Sequence, residues 1–293
     1  MAALIPRLRP PASGPLREVF LVLPGLNLDP CRMNPLMDWM AARGLGLLEP
    51  FPEGLGPPLV SAASGPQQAG SAAPWLERLD NARQWLRQAH PEARVSLLGY
   101  SLGGLLGLCW SAQRGEETER MILLAPAVGV GPWFRLLLRL GLTVLPREIS
   151  LPSLAPPSHR LAPLTPLVAY AGLESLLQRW TALEGGLEGG KKGPLPALPR
   201  MFVALHPRDE LVDAAAVERM VARGGPGSRL FRLDNRRGVA TRRGCSPWLP
   251  WSAKLPYHLI IDEAGLGRPG WEALLAELSD WLAPPGPDSA DSG

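Results

Sequence analysis

The sequence is poor in cysteine, lysine and histidine, and it has no long apolar run. Its three cysteines, Cys31, Cys109 and Cys245, lie far apart in a chain of 293 residues. An odd count excludes a complete disulfide framework, and the spacing is not that of a metal site. A reducing compartment is the simplest setting for such a chain. Only Lys191, Lys192 and Lys254 are lysines; the remaining positive charge is arginine, scattered along the chain, and the net charge is +3. A nucleic-acid partner needs basic residues gathered on one face, so none is expected. No stretch of 18 uncharged apolar residues exists, which argues against a spanning helix. Met1 to Leu16 carries Arg7, Arg9, Pro6, Pro10 and Pro11 but no apolar segment of the kind a secretory signal needs. The expectation is a cytoplasmic protein.

What is present can build a sizeable core, since 46% of the residues are hydrophobic. The length suits one large α/β domain or two small ones. Val19 to Leu23 is an unbroken apolar run, as in a strand covered on both faces, and Pro24-Gly25 ends it. Further strands are expected at 46–50, Arg94–Leu98, Met121–Leu124, Met201–Leu205 and Leu230–Leu233. Helical spacing is read at Met33–Arg43, Trp75–Ala89, Ser101–Ala112 and Asp213–Arg223, and in a closing helix through Trp271, Leu274, Leu278 and Trp281. Residues 51–74 and 235–257 read as loops, and no internal repeat is found. Strands alternating with helices predict a mostly parallel central sheet with helices on both faces.

The most informative stretch is Gly99-Tyr100-Ser101-Leu102-Gly103, followed by Gly104. It stands directly after one expected strand and directly before a helix, the context that a G-x-S-x-G nucleophile elbow requires. On so sharp a turn the residues two places either side of the serine approach each other, and glycine at 99 and 103 avoids the clash. The helix N-terminus adds positive potential and free N–H groups beside the serine. An ordinary glycine-rich turn is the bland alternative, and the correct flanks weigh against it.

Serine is a weak nucleophile that needs a base, and the base needs an orienting acid. On such an elbow the acid and then the histidine follow the serine in chain order. Of the four histidines, His90 precedes Ser101, His159 lies in an irregular stretch and His206 ends a strand. His258 stands in a late loop before the final helix, where the base is expected. Asp209, just past the strand Met201–Leu205, is the expected acid; it also suits a helix N-cap. Glu210, Asp213 and Asp234 are the other candidates. Two backbone N–H donors are expected to form an oxyanion hole, from Leu102 after the nucleophile and from Leu26 in the loop Leu23-Pro24-Gly25-Leu26-Asn27.

These segments together resemble the α/β-hydrolase superfamily over roughly residues 17–283. Leu23-Pro24-Gly25-Leu26-Asn27 looks like its oxyanion loop, with Pro24 in the place of the usual histidine. Leu98 to Gly104 resembles the elbow of the monoacylglycerol lipase and carboxylesterase group. Asp209-x-x-Val212 and His258-Leu259-Ile260-Ile261-Asp262 are similar to that group's acid and histidine motifs. The resemblance implies an α/β-hydrolase fold with an eight-stranded sheet, a helical cap inserted after the sixth strand, and no metal or organic cofactor.

The division expected is an N-terminal extension at 1–16, a core at 17–126 and 199–283, a cap or lid at 127–198 and a disordered tail at 284–293. Within the cap, residues 131–146 read as a helix bounded by Pro132 and Pro146 and apolar on nearly every side except Arg135, Arg139 and Thr143. Such a helix packs on the sheet or roofs an apolar pocket, with Trp133, Phe134 and Leu137 toward substrate; it also has the make-up to touch a membrane surface, its arginines snorkelling. The leading expectation is a serine hydrolase of carboxylic esters with medium or long acyl chains or monoacylglycerol-like form. Thioester, lactone or peptide cleavage on the same three residues is one alternative, and a non-catalytic binding protein on this fold is another. The expected partner is a small-molecule ester.

Overall fold

Glu18 to Leu23 sits at the centre of the molecule, every one of its residues buried. The structure is a computed structural model; it describes residues 6–55, 71–146, 148–153, 155–185, 187–188, 191–192, 197–233 and 257–283. The tail from 284, the greater part of the loop at 235–257, residues 56–70 and Asp234 lie outside the described residues.

In chain order the elements are β1 (Arg7–Arg9), β2 (Glu18–Leu23), α1 (Asn34–Ala41), β3 (Gly46–Glu49), α2 (Ala73–Ala89), β4 (Arg94–Tyr100), α3 (Leu102–Ala112) and β5 (Arg120–Leu124). Then come α4 (Pro132–Val144), β6 (Ser150–Pro152), β7 (Leu164–Pro166), α5 (Leu167–Glu184), β8 (Leu187–Glu188) and β9 (Lys191–Lys192). The chain continues with β10 (Arg200–Leu205), α6 (Ala214–Val221), β11 (Arg229–Arg232) and α7 (Glu263–Leu282). One sheet runs β1-β3-β2-β4-β5-β10-β11. All its pairings are parallel except β1 with β3. The mostly parallel sheet expected from the alternation is thus present.

Strand parity explains how both faces are covered. Leu23 lies under Gly107 of α3, where a Cβ would come within 3.1 Å of it. Phe20, on the opposite face of the same strand, shares the Arg120 guanidinium with Trp281 of α7. That arginine also bonds the buried carboxylate of Glu18 at 2.8 and 2.7 Å, and Ser96 Oγ donates to the same carboxylate at 2.6 Å. A charge at the start of a central strand is therefore fully partnered. All residues of α3 are buried because α5 lies against its outer side.

Three details differ from expectation. Seven strands form the sheet among the described residues, not eight, and the insertion leaves it after the fifth in chain order rather than the sixth. The N-terminal extension is also not separate from the sheet, because Arg7–Arg9 adds an antiparallel edge strand. Pro10, Pro11 and Pro15 follow it, and proline has no N–H to offer a ladder, so no further strand forms before β2.

The insertion is of two kinds. Its second helix, α5, joins the main core through Leu173, Leu176, Leu177 and Trp180. Its first, α4, turns Phe134 and Leu138 inward and leaves Leu136, Leu140 and Val144 exposed. Arg139, expected to reach for an interface, instead donates to Glu174 of α5 at 2.9 Å. A carboxylate 7% exposed needs a cation more than a surface does.

Candidate active site

The elbow forms where the sequence motif lies. Ser101 has φ 52° and ψ −115°, a conformation that costs a non-glycine residue about 1–3 kcal/mol. The surroundings hold it there: Ser101 N donates to Leu124 O at 2.9 Å, and Ala127 N donates to Ser101 O at 3.0 Å. A Cβ on Gly99 would stand 2.6 Å from Gly104 Cα, and one on Gly103 would stand 2.1 Å from Leu23 O. Both positions are closed to any side chain. Gly103→Ala is accordingly expected to lower the unfolding free energy by about 1–3 kcal/mol or more. Urea unfolding measures this, and a variant as stable as the parent would contradict the packing described.

His258 arrives from the far end of the chain. Its Nε2 is 2.9 Å from Ser101 Oγ, and its Nδ1 is 2.8 and 3.0 Å from the two Asp209 oxygens. In the neutral tautomer this network selects, Ser101 O–H donates to Nε2 and Nδ1–H donates to Asp209. The Asp209 side chain is fully buried. Its Oδ1 also accepts the backbone N–H groups of Leu211 (2.9 Å) and Val212 (2.8 Å), so the carboxylate is held in place by the turn that carries it. The other acid candidates go elsewhere. Glu210 accepts Tyr257 N–H at 3.4 Å, and Asp213 caps α6. His90 stacks edge-on with Trp85, and His206 lies flat on Tyr257.

Leu26 and Leu102 both line a cavity that also contains Gly25, Ser101 and His258. Gly25 lies against the Tyr100 ring, where a Cβ would come within 2.8 Å. The amides of Asn27 and Leu28 are committed to Leu55 O and Gly25 O. Leu102 opens α3, so its N–H has no partner inside the helix. Of the three cap residues expected to face substrate, Phe134 lines the cavity. Trp133 and Leu137 have backbones in α4, but their side chains lie outside the described residues.

Three features were not read from the sequence. Tyr100 Oη donates to His258 O at 3.1 Å, so the residue beside the nucleophile supports the histidine loop. Burial, then the neighbouring Asp209 carboxylate, push its phenol well above the ordinary range, and it stays a donor. Asn27, at φ 54°, donates to Ala162 O (2.8 Å) and accepts from Ala162 N (3.0 Å), tying the Gly25–Leu26 loop to the insertion. Finally, buried His159 and Asp262 pair at 3.2 Å, joining the insertion to the loop that carries His258. None had a signal, because each acts through a partner more than 100 residues away.

A hydroxyl with a base on one side, the base oriented by a buried carboxylate, is an arrangement for attack on a carbonyl. Fold and site together define an α/β-hydrolase. A family model described as "Serine aminopeptidase, S33" matches residues 14–161, just over half of the chain, and the chain belongs to that family. Among solved structures, a monoglyceride lipase from Saccharomyces cerevisiae superposes with a TM-score of 0.62 at 13% identity, over 94% of this chain and 89% of that one. A metagenome-derived lipolytic enzyme gives 0.57 at 19% identity, over 80% and 89%. The monoacylglycerol lipase of Paleococcus ferrophilus gives 0.56 at 13%, over 78% and 88%. At these identities the likeness is one of fold. No curated protein sequence matches this chain. Among the described residues no group of side chains could hold a metal ion, and no helix is long and apolar enough to cross a membrane.

Proposed function

We propose that the protein is a serine esterase that works through an acyl-enzyme, with Ser101, His258 and Asp209 as its catalytic residues. The observation that carries this reading is the unbroken hydrogen-bonded line from Ser101 Oγ through His258 to Asp209. Ser101 attacks the ester carbonyl as Nε2 takes its proton. The oxyanion is held by the N–H groups of Leu26 and Leu102; losing one such donor typically costs about 3–4 kcal/mol in the transition state. His258 then returns the proton to the leaving alcohol, and water repeats the sequence to free the acid. A fluorophosphonate probe tests the reading: the protein should label, and Ser101→Ala should not. An unlabelled, correctly folded parent would leave a binding protein on a hydrolase fold.

An ester fits the cavity better than a peptide with a free amino terminus. Most of its wall is apolar, with Leu28, Val130, Phe134, Leu173 and Val212 among the lining, and no Asp or Glu of the described residues lines it to receive an ammonium group. Thioesters and lactones would use the same chemistry. In this reading residues 127–198 form the cap, and medium or long acyl chains, or monoacylglycerol-like esters, are preferred. Each buried methylene contributes up to about 0.8 kcal/mol, so kcat/KM should rise several-fold between C2 and C6 p-nitrophenyl esters below the critical micelle concentration. A flat profile or a preference for acetate would leave a small-ester hydrolase. The stripe of Leu136, Leu140 and Val144, at 48%, 52% and 76% exposure, would let α4 rest on a membrane surface where such esters reside. A cytoplasmic location fits the sparse, widely spaced cysteines.

A further inference from the structure

Besides Tyr100 and Ser101, the apolar cavity is lined by three hydroxyl-bearing residues, Ser153, Thr165 and Tyr170. These are only 2%, 2% and 5% exposed. They come from one corner of the insertion. Leu151 faces Thr165 across the β6–β7 pair, and Ser153 N donates to Pro163 O at 3.0 Å in the same register. Ser153 is two residues on from Leu151, so Ser153 and Thr165 project from one face of the hairpin as diagonal neighbours. Tyr170 follows in the first turn of α5. Burial pushes its phenol up and the Thr165 hydroxyl partly offsets this, which sets those two groups beside each other.

Each hydroxyl brings one proton to donate and two lone pairs. Thr165 Oγ1 accepts Asn27 Nδ2–H at 3.0 Å, and Ser153 Oγ accepts Ala155 N–H at 3.3 Å. Thr165 and Tyr170 share a hydrogen bond, which uses one of their two protons; the other, and that of Ser153, have no acceptor among the contacts described. Buried polar hydrogens in folded proteins find partners. A cluster of three hydroxyl residues with two protons left to donate, gathered at a cavity that opens on the nucleophile, points to a partner that arrives with the substrate. The positions are also held: Asn27 anchors Thr165 to the loop that carries Leu26.

We infer that Ser153, Thr165 and Tyr170 form a donor subsite for an acceptor oxygen of the substrate, a few bonds from its scissile carbonyl. The inference rests on the ester reading above and narrows it to oxygen-bearing esters. The oxygen is a free hydroxyl on the alcohol, as in a polyol monoester, or an oxygen on the acyl chain. A substrate without it strands the donors in an apolar wall, which is how a site built for a hydroxyl rejects the analogue that lacks one.

The test compares matched pairs. Glycerol monobutyrate against propyl butyrate probes the alcohol side, and ethyl 4-hydroxybutyrate against ethyl butyrate probes the acyl side. The parent should favour the oxygenated member of one pair by roughly three- to ten-fold in kcat/KM; which pair does so identifies the source of the oxygen. Tyr170→Phe should bring that ratio to within about two-fold of unity. Ser153→Ala, a smaller change, should reduce it in the same sense and serves if Tyr170→Phe does not fold. A parent ratio near one in both pairs, or a ratio that survives both substitutions, overturns the subsite. Calorimetric binding to Ser101→Ala of 1-O-hexylglycerol against hexyl propyl ether keeps this separate from the ester reading. A preference for the glyceryl ether without hydrolysis of any ester would sink the esterase and leave the subsite. Hydrolysis without any preference in either assay would do the reverse.

Discussion

Ser101→Ala is expected to reduce ester turnover by about 10⁵–10⁶-fold, leaving only what an oxyanion hole and binding supply. The substitution removes one atom, and among the described residues the one side-chain hydrogen bond it breaks is the 2.9 Å contact to His258 Nε2. The backbone bonds that hold the elbow, from Ser101 N to Leu124 O and from Ala127 N to Ser101 O, are untouched. Alanine also fits the space and bears the positive φ no worse than serine. Stability should therefore change by less than about 1 kcal/mol. Turnover of p-nitrophenyl esters, with circular dichroism and urea unfolding as fold controls, measures both. Substantial residual turnover in a folded variant would remove Ser101 from the chemistry.

Asp209→Asn should cost about 10⁴-fold in kcat. The amide keeps the shape but loses the charge, and its NH₂ presented to His258 favours the tautomer with the proton on Nε2, which cannot accept from Ser101. In the double variant with Ser101→Ala the losses should not multiply, because the three groups act as one unit. Glu210→Gln separates the two neighbouring carboxylates. Glu210 is exposed and accepts only backbone amides, its own and that of Tyr257 at 3.4 Å, among the contacts described, so its loss should cost less than about ten-fold. A harmless Asp209→Asn beside a crippling Glu210→Gln would reverse the assignment of the acid.

Both expectations began as sequence patterns, and the structure bears on them unequally. The strand before Ser101 and the helix after it were legible because the apolar run Val95, Leu97, Leu98 and the breaker-free Leu102–Ala112 are local signals. The glycines at 99 and 103 were legible for a steric reason that holds for any such turn, and the 2.1 Å approach to Leu23 O gives it a magnitude. The number of strands was less legible. Strand count depends on which edge segments find a partner, and prolines at 10, 11 and 15 are a weak signal until β1 is seen on β3. Of the two helices of the insertion only α4 is legible in sequence, between Pro132 and Pro146; which Leu-rich stretch packs on the core is not. Only α5 has α3 to lie against.

The sequence by itself determined the order of the elements from β2 to β5, the burial of β2, and the place of a serine between a strand and a helix. Each of these follows from residues within a few positions of one another, where propensity, periodicity and steric exclusion act directly. Tertiary structure alone decided which carboxylate faces His258, that Tyr100 holds the His258 backbone, that Asn27 joins the Leu26 loop to the insertion, and that Ser153, Thr165 and Tyr170 line one cavity with Ser101. The contacts that decide them include spans of 158 residues from Tyr100 to His258 and 138 from Asn27 to Thr165. Their partners meet only when the sheet has aligned the carboxyl ends of its strands, because a hydrogen bond is selected by distance and angle in space and leaves no period in the chain.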